Sequence, residues 1–161
     1  MTAPIWRRWR PTDRSAVADL HDRALAGFSQ ILQRGSGAPD LADVENTYLR
    51  SGGEFLVGQI AGAVVAMGAL RRIDSVTGEI KRMRIDPAHQ RRGHGRALVV
   101  RMLDCARGRG LRTIVLDTTS EQVGAQRLSE SMGFAATGTR MVGPFTVIDY
   151  RRDLGPGPAK G

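Results

Sequence analysis

A single cysteine, Cys105, stands in 161 residues, so no internal disulfide can form. The three histidines are scattered and do not gather with it, so no metal site is expected. A chain without disulfide chemistry is expected in a reducing compartment, the cytoplasm by default. Long apolar runs are missing too. The longest, Ala63 to Met67 between two glycines, falls far short of the ~20 residues that a bilayer span needs. The first ten residues set Trp6 and Trp9 among arginines and hold no apolar segment of the signal-peptide kind. No membrane partner is therefore expected. Acid is the scarcer charge, with 16 Asp and Glu against 24 Lys and Arg and a net charge of +8.

A basic balance favours anionic partners, but its distribution matters more than its total. Lys81, Arg82, Arg84, Arg91, Arg92 and Arg96 lie close together, opposed over that span only by Asp86. That concentration points to a local anion site. A basic nucleic-acid-binding module is the weaker alternative. Trp6 and Trp9 would suit a stacking patch, yet an amphipathic edge strand explains them as well.

Hydrophobic residues make up 41% of the chain and charged ones 25%, which suits a packed globular domain. The length fits one domain, read as residues 1–154. The Gly- and Pro-rich tail, residues 155–161, is expected to be disordered. Ile5 to Arg10 reads as a strand. Thr12 or Asp13 can cap a helix carrying Val17, Leu20, Ala24, Leu25 and Phe28 at helical spacing. A loop from Arg34 to Pro39 precedes a second helix, capped by Asp40 and ended by Gly52-Gly53. Strands follow around Phe55 to Val57, Ala63 to Leu70 and Glu79 to Ile85, then a helix over Gly95 to Arg107. A buried strand at Arg112 to Leu116, a helix at Glu121 to Met132 and an antiparallel pair around Gly143-Pro144 complete the order. This is a mixed α/β pattern.

The richest segment runs from Arg84 to Leu98. A strand ends at Ile85-Asp86-Pro87, Gly93 and Gly95 follow, and an apolar-periodic helix begins. Glycines allow positive φ and close approach of the backbone to an oxyanion. A helix start offers unpaired N–H groups and a partial positive charge. Together these build an anion site from main chain. A Walker A loop is absent, and the dinucleotide fingerprint fails because position 98 is Leu.

At these residues the sequence resembles the GNAT acetyltransferase superfamily. The family's [Q/R]-x-x-G-x-[G/A] signature stands here as Gln90-Arg91-Arg92-Gly93-His94-Gly95. Its later N-x-x-A-x-x-L-Y-x-x-x-G-F segment appears as Gln122 through Ala125, Leu128 and Ser129 to Gly133-Phe134. The resemblance covers nearly the whole chain. It implies a single-domain GNAT-like fold, with a mixed, mostly antiparallel sheet of six to seven strands and about four helices.

It further implies acetyl-CoA as co-substrate and an amine acceptor, expected to be a small molecule, with direct acyl transfer. The pyrophosphate would meet backbone amides of Arg91, Arg92, Gly93, His94, Gly95 and Arg96, with Gln90 and Ala97 flanking them. Backbone groups of Met83 and Ile85 would pair with the pantetheine arm, and the amide near Met83 or Arg84 would polarise the thioester carbonyl. Central strands would splay apart, with Gly78 to Pro87 as one wall. Gln122 replaces the family's common Asn and would keep an amide contact to pantetheine.

Glu79 stands six residues before Ile85, where several members carry a catalytic glutamate, and is the candidate base. Simple alternation puts residues 79, 81, 83 and 85 on one strand face, unless a bulge intervenes. Ser129 occupies the position of the usual acid Tyr. A serine is a poor acid, although it can hydrogen-bond the sulfur or hold a water; Tyr150 or solvent are the other candidates. The departure leaves a CoA-binding domain without turnover as the alternative reading. GNAT domains are often dimers, so a homodimer stays open.

Overall fold

The structure, a computed structural model, describes residues 2–29, 32 and 38–155. The expected disordered tail lies outside these residues from position 156, and so does most of the expected Arg34–Pro39 loop. Seven strands form one sheet: β1 (Ile5–Arg8), β2 (Glu54–Ile60), β3 (Ala63–Arg72), β4 (Thr77–Ile85), β5 (Thr113–Thr119), β6 (Ala135–Val142) and β7 (Phe145–Asp153). Their order across the sheet is β1-β2-β3-β4-β5-β7-β6. Every join is antiparallel except β4 with β5, so the sheet is mixed and mostly antiparallel, as expected. Three α-helices lie wholly within the described residues: α1 (Arg14–Leu25), α2 (His94–Gly108) and α3 (Val123–Ser131).

The sheet has a core on each face. The apolar run of β3 is buried along nearly all of its length, as a strand covered on both faces should be. On one face Val17 and Leu20 of α1 pack with Tyr48, Phe55, Met67 and Ala69. On the other, Leu98, Val99, Met102, Leu103 and Ala106 of α2 pack with Leu70, Ile80, Ile114 and Phe134. Trp9 joins the first core at 2% exposure, and the Arg101 guanidinium lies 5.6 Å from the Trp6 ring centroid. The two indoles therefore serve packing, which favours the edge-strand reading of this segment.

The second expected helix does not form as one piece. Asp40 does not cap it; its carboxylate is taken by the Arg82 side chain and the Tyr48 hydroxyl. The backbone breaks at Asp43 (φ −141°, ψ 55°), between a 3-10 turn at Pro39–Ala42 and a wide turn at Glu45–Leu49. Two short turns replace the helix because the capping side chain is committed to the sheet.

A bulge also breaks the regular alternation of β4. Ala69 of β3 pairs with Lys81 and Met67 with Arg84, so two residues on β4, Arg82 and Met83, answer one on β3, Gly68. Arg82 absorbs the extra residue at φ +57°, a left-handed conformation uncommon outside glycine. Residues 79, 81, 83 and 85 therefore do not share a face. Met83 and Ile85 join the α2 core, while Arg82 and Arg84 turn to Asp40 and to His21 on the α1 side.

Candidate active site

β4 and β5 pair only at Thr77–Thr113, Gly78–Ile114 and Glu79–Val115. Beyond that point β4 stays with β3 and β5 stays with β7 out to Thr119, so the two strands part. The gap is a cleft of about 440 Å³. Glu79 to Arg84 form one wall and Leu116 to Thr119 the other. Val99 of α2, then Gln122, Ala125, Leu128 and Ser129, close one side, and Arg140, Val142, Phe145 and Val147 reach in from the last hairpin. The cleft thus takes lining from both faces of the sheet.

The glycine loop sits at the end of the β4 wall. Asp86 accepts a bond from the Ala88 N–H at 2.9 Å and starts a tight turn, Pro87–His89. Gln90 folds back, its Nε2 donating to the Ile85 carbonyl at 3.1 Å. Arg91 at φ +61° and Gly93 at φ +82° then reverse the chain into α2. The first bond of that helix runs from the Ala97 N–H to the Gly93 carbonyl, at 3.0 Å. The N–H groups of His94, Gly95 and Arg96 therefore have no acceptor within the helix. The Ala97 N–H is already used, so Ala97 offers no free donor to a ligand.

Gly93 and Gly95 serve different ends. A Cβ on Gly93 would meet nothing within 4 Å, so what demands glycine there is the positive φ. A Cβ on Gly95 would stand 3.1 Å from Leu128 Cδ2, so this glycine lets α2 approach α3 closely. The His94 ring is buried and its Nε2 has no partner among the described residues. Burial first, then His89 and Arg92, lower its pKa, which keeps the ring neutral at pH 7. Arg91, Arg92 and Arg96 are exposed around the loop.

The expected polar residues are partly committed. Glu79 lines the cleft while its Oε1 accepts from Arg71 Nε at 3.0 Å. Ser129 is buried and donates its hydroxyl to the Ala125 carbonyl one turn back, at 2.8 Å. Gln122 Oε1 accepts from the Thr119 N–H and hydroxyl, which ties the end of β5 to the start of α3. The Met83 carbonyl accepts from Arg84 Nη1 at 2.9 Å. Tyr150, the other acid candidate, lies in the core with its hydroxyl 3.3 Å from Glu130 Oε1. Burial, with Glu130 adding to it, raises its pKa, which makes it a poorer proton donor.

Two further features stand at the cleft. Thr118 Oγ1 is buried on the cleft wall with no partner among the described residues. Its signal was alternation, since Ile114, Leu116 and Thr118 point to one face. Arg140 bridges Asp117 at 2.8 Å and Asp149 at 3.0 Å at the cleft edge, a cluster that only pairing of β5, β7 and β6 assembles. Among the described residues no group of His, Cys, Asp and Glu could hold a metal ion. No helix among them is long and apolar enough to cross a membrane.

The profile of the acetyltransferase (GNAT) family matches residues 18–134. Among curated proteins, N-acetyltransferase 8F1 of Rattus norvegicus is 36% identical over 111 residues, which cover 66% of this chain and 50% of that protein. N-acetyltransferase 8 of Homo sapiens is 35% identical over 62% of this chain and 46% of its own length. N-acetylaspartate synthetase of Danio rerio is 34% identical over 62% and 36%. The chain thus spans half or less of the curated relatives it matches. A GNAT-family acetyltransferase from Staphylococcus aureus Mu50 superposes with a TM-score of 0.80 at 18% identity, over 94% of this chain and 99% of that one. The protein yncA from Salmonella typhimurium, solved with its cofactor acetyl-CoA, gives a TM-score of 0.79 at 24% identity over 99% of both chains. At these identities the solved structures speak for the fold alone.

Proposed function

This chain belongs to the acetyltransferase (GNAT) family, and on that premise we propose that it is an acetyl-CoA-dependent N-acetyltransferase acting by direct transfer on the amine of a small molecule. The observation that carries the reading is the parting of β4 and β5 with a turn rich in free N–H groups beside it. A long arm ending in a pyrophosphate suits that combination. The slot takes the arm, and the start of α2 takes the phosphates. The buried Thr118 hydroxyl, without a protein partner among the described residues, adds a polar contact that the arm's amides can meet. Arg91, Arg92 and Arg96 add attraction around the loop.

Acetyl-CoA supplies the acetyl group activated as a thioester. The chain's part is to hold an amine against its carbonyl carbon and to manage charge. A bond from amine nitrogen to carbonyl carbon forms, the carbon–sulfur bond breaks, and the electron pair leaves on sulfur. A main-chain N–H of the β4 wall, near Met83 or Arg84, stabilises the developing oxyanion. Glu79 accepts the amine proton, directly or through a water. The sulfur recovers its proton from solvent, because Ser129 donates into its own helix and Tyr150 is turned to Glu130. Holding the two reactants together contributes much of the rate.

Calorimetry and a turnover assay with a panel of amines test this reading. Acetyl-CoA is expected to bind more tightly than ATP or NAD, and at least one amine to be acetylated with release of free thiol. Equal or weaker acetyl-CoA affinity would sink the reading. Tight binding without turnover of any amine would favour a CoA-binding domain lacking catalysis.

A further inference from the structure

Four cationic side chains line the cleft, Lys81, Arg82, Arg84 and Arg140, against two carboxylates, Glu79 and Asp117. Both carboxylates are engaged, Glu79 by Arg71 and Asp117 by Arg140. Arg82 is held by Asp40 at 2.8 Å. Lys81 and Arg84 are left, and neither pairs with a carboxylate among the described residues. We propose that the acceptor amine carries a carboxylate, and that the Arg84 guanidinium, with Lys81 beside it, binds that carboxylate on the α1 side of the cleft. This rests on the transfer reading above and names its substrate class.

Arg84 is oriented but not neutralised. Its Nε donates to His21 Nδ1 of α1 at 3.3 Å and its Nη1 to the Met83 carbonyl at 2.9 Å. Those two bonds fix the plane of the group. Nη2 keeps both of its N–H donors without an acceptor among the described residues. A guanidinium presents a rigid fork that matches a carboxylate, and such charge-assisted bonds are about twice as strong as neutral ones. Loss of hydration, with Arg82 adding repulsion, lowers the Arg84 pKa to about 10, so the group is still charged at pH 7. A shielded cation whose acid neighbour, Asp40, is already bonded to Arg82 and Tyr48 is costly to keep, and a bound anion offsets that cost.

The phosphates of the co-substrate do not answer this charge. Their loop opens α2, which packs on the face of the sheet that holds Met83 and Ile85. Arg84 stands on the other face, against α1. The β4 bulge makes this separation, since regular alternation from Ile80, which packs in the α2 core, would put residue 84 on that same face. With Arg82 left-handed, the guanidinium of Arg84 reaches the cleft wall on the acceptor side, the same side as Glu79 and Lys81, whose β3 partners are Arg71 and Ala69.

The test uses the full chain, acetyl-CoA and matched acceptors: amino acids, their amides and the corresponding decarboxylated amines. Carboxylate-bearing acceptors are expected to be used with kcat/KM at least about tenfold above their amides. Arg84→Met should raise KM for the carboxylate series by about 10–100-fold and erase the preference. Arg84→Lys, which keeps charge without the fork, should recover part of it. Neutral amines used as well as carboxylates, or a preference that survives in Arg84→Met, would overturn the proposal and leave the transfer reading standing. Should Arg84→Met not fold, the wild-type panel and Arg84→Lys decide alone. A second measurement needs no turnover: saturation-transfer NMR of N-acetyl amino acids and their amides on the CoA-loaded protein. Selective binding of the carboxylates supports the site even if no amine is acetylated, and that result would overturn the transfer reading alone. Equal binding of the amides would overturn the carboxylate site alone.

Discussion

Glu79 and Ser129 both reach the cleft, but their surroundings give them unequal prospects. Glu79 has one oxygen bonded to Arg71 and retains acceptor capacity on the other. Ser129 gives its only proton to Ala125. If Glu79 takes the amine proton, Glu79→Gln should lower kcat by about 10²–10⁴-fold and leave acetyl-CoA affinity nearly intact. The loss should shrink at high pH, where the free amine is already neutral. A wild-type rate for Glu79→Gln across the pH range would remove it from the mechanism. Under the same assay Ser129→Ala should cost less than about tenfold, roughly 1.4 kcal/mol of barrier. The sequence offered these residue types by their offsets from the glycine loop and from Gly133-Phe134. It could not tell that a helix carbonyl would claim the serine proton, because a one-turn back-bond depends on the rotamer that packing selects.

The strand–loop–helix unit from β4 to α2 was legible almost whole. Its strand end, its turn and its helix start each had a local signal in Pro87, Gly93 and the apolar period of Leu98, Met102 and Ala106. Local signals did not separate the duties of the two glycines. Gly93→Val forces a β-branched residue into φ +82° and should abolish measurable acetyl-CoA binding through refolding of the turn. Gly95→Ala meets the mobile end of Leu128 at 3.1 Å, so it should weaken binding only modestly. Adding Leu128→Ala should restore much of what Gly95→Ala loses. Calorimetry on the three variants checks this. Equal damage from Gly93→Val and Gly95→Ala, unrelieved at Leu128, would contradict the division of roles.

Across the whole molecule, ion pairs tie the layers together and set the response to acid. Arg7 grips Asp13 through two bonds of 2.7 Å, joining β1 to the start of α1, and these hold the buried Asp13 carboxyl below its ordinary pKa. Burial pushes Asp40 and Glu54 upward, but bonds from Arg82 and Tyr48, and from Arg8, outweigh it, so both are lowered as well. A carboxyl with a lowered folded pKa adds stability that is fully present above its unfolded value of about 4, and is lost as pH falls through the folded value. Thermal melts should therefore fall steeply below about pH 4, after a shallower loss below about pH 6.5 from His94, whose lowered folded pKa disfavours protonation of the buried ring. Asp13→Asn should lower the Tm at neutral pH and flatten the acid limb. An acid limb of wild-type steepness in that variant would show that Asp13 does not contribute.

The sequence by itself determined the order of the elements, the glycine loop and the family resemblance. Each of these is written in spacing along the chain: period two in strands, period 3.6 in helices, and fixed offsets in the turn. It also placed the cationic cluster around residues 81–96. Tertiary structure decided which of those charges are spent and which are left. Asp40 is forty-two residues from Arg82 and takes its charge, while breaking the helix it was expected to cap. The bulge at Arg82 then assigns Arg84 to the α1 side of the cleft, Met83 and Ile85 to the α2 core. Neither outcome is local. A charge is neutralised by whatever the fold brings within hydrogen-bond reach, and a bulge exists only relative to the partner strand, so both wait on contacts between segments far apart in the chain.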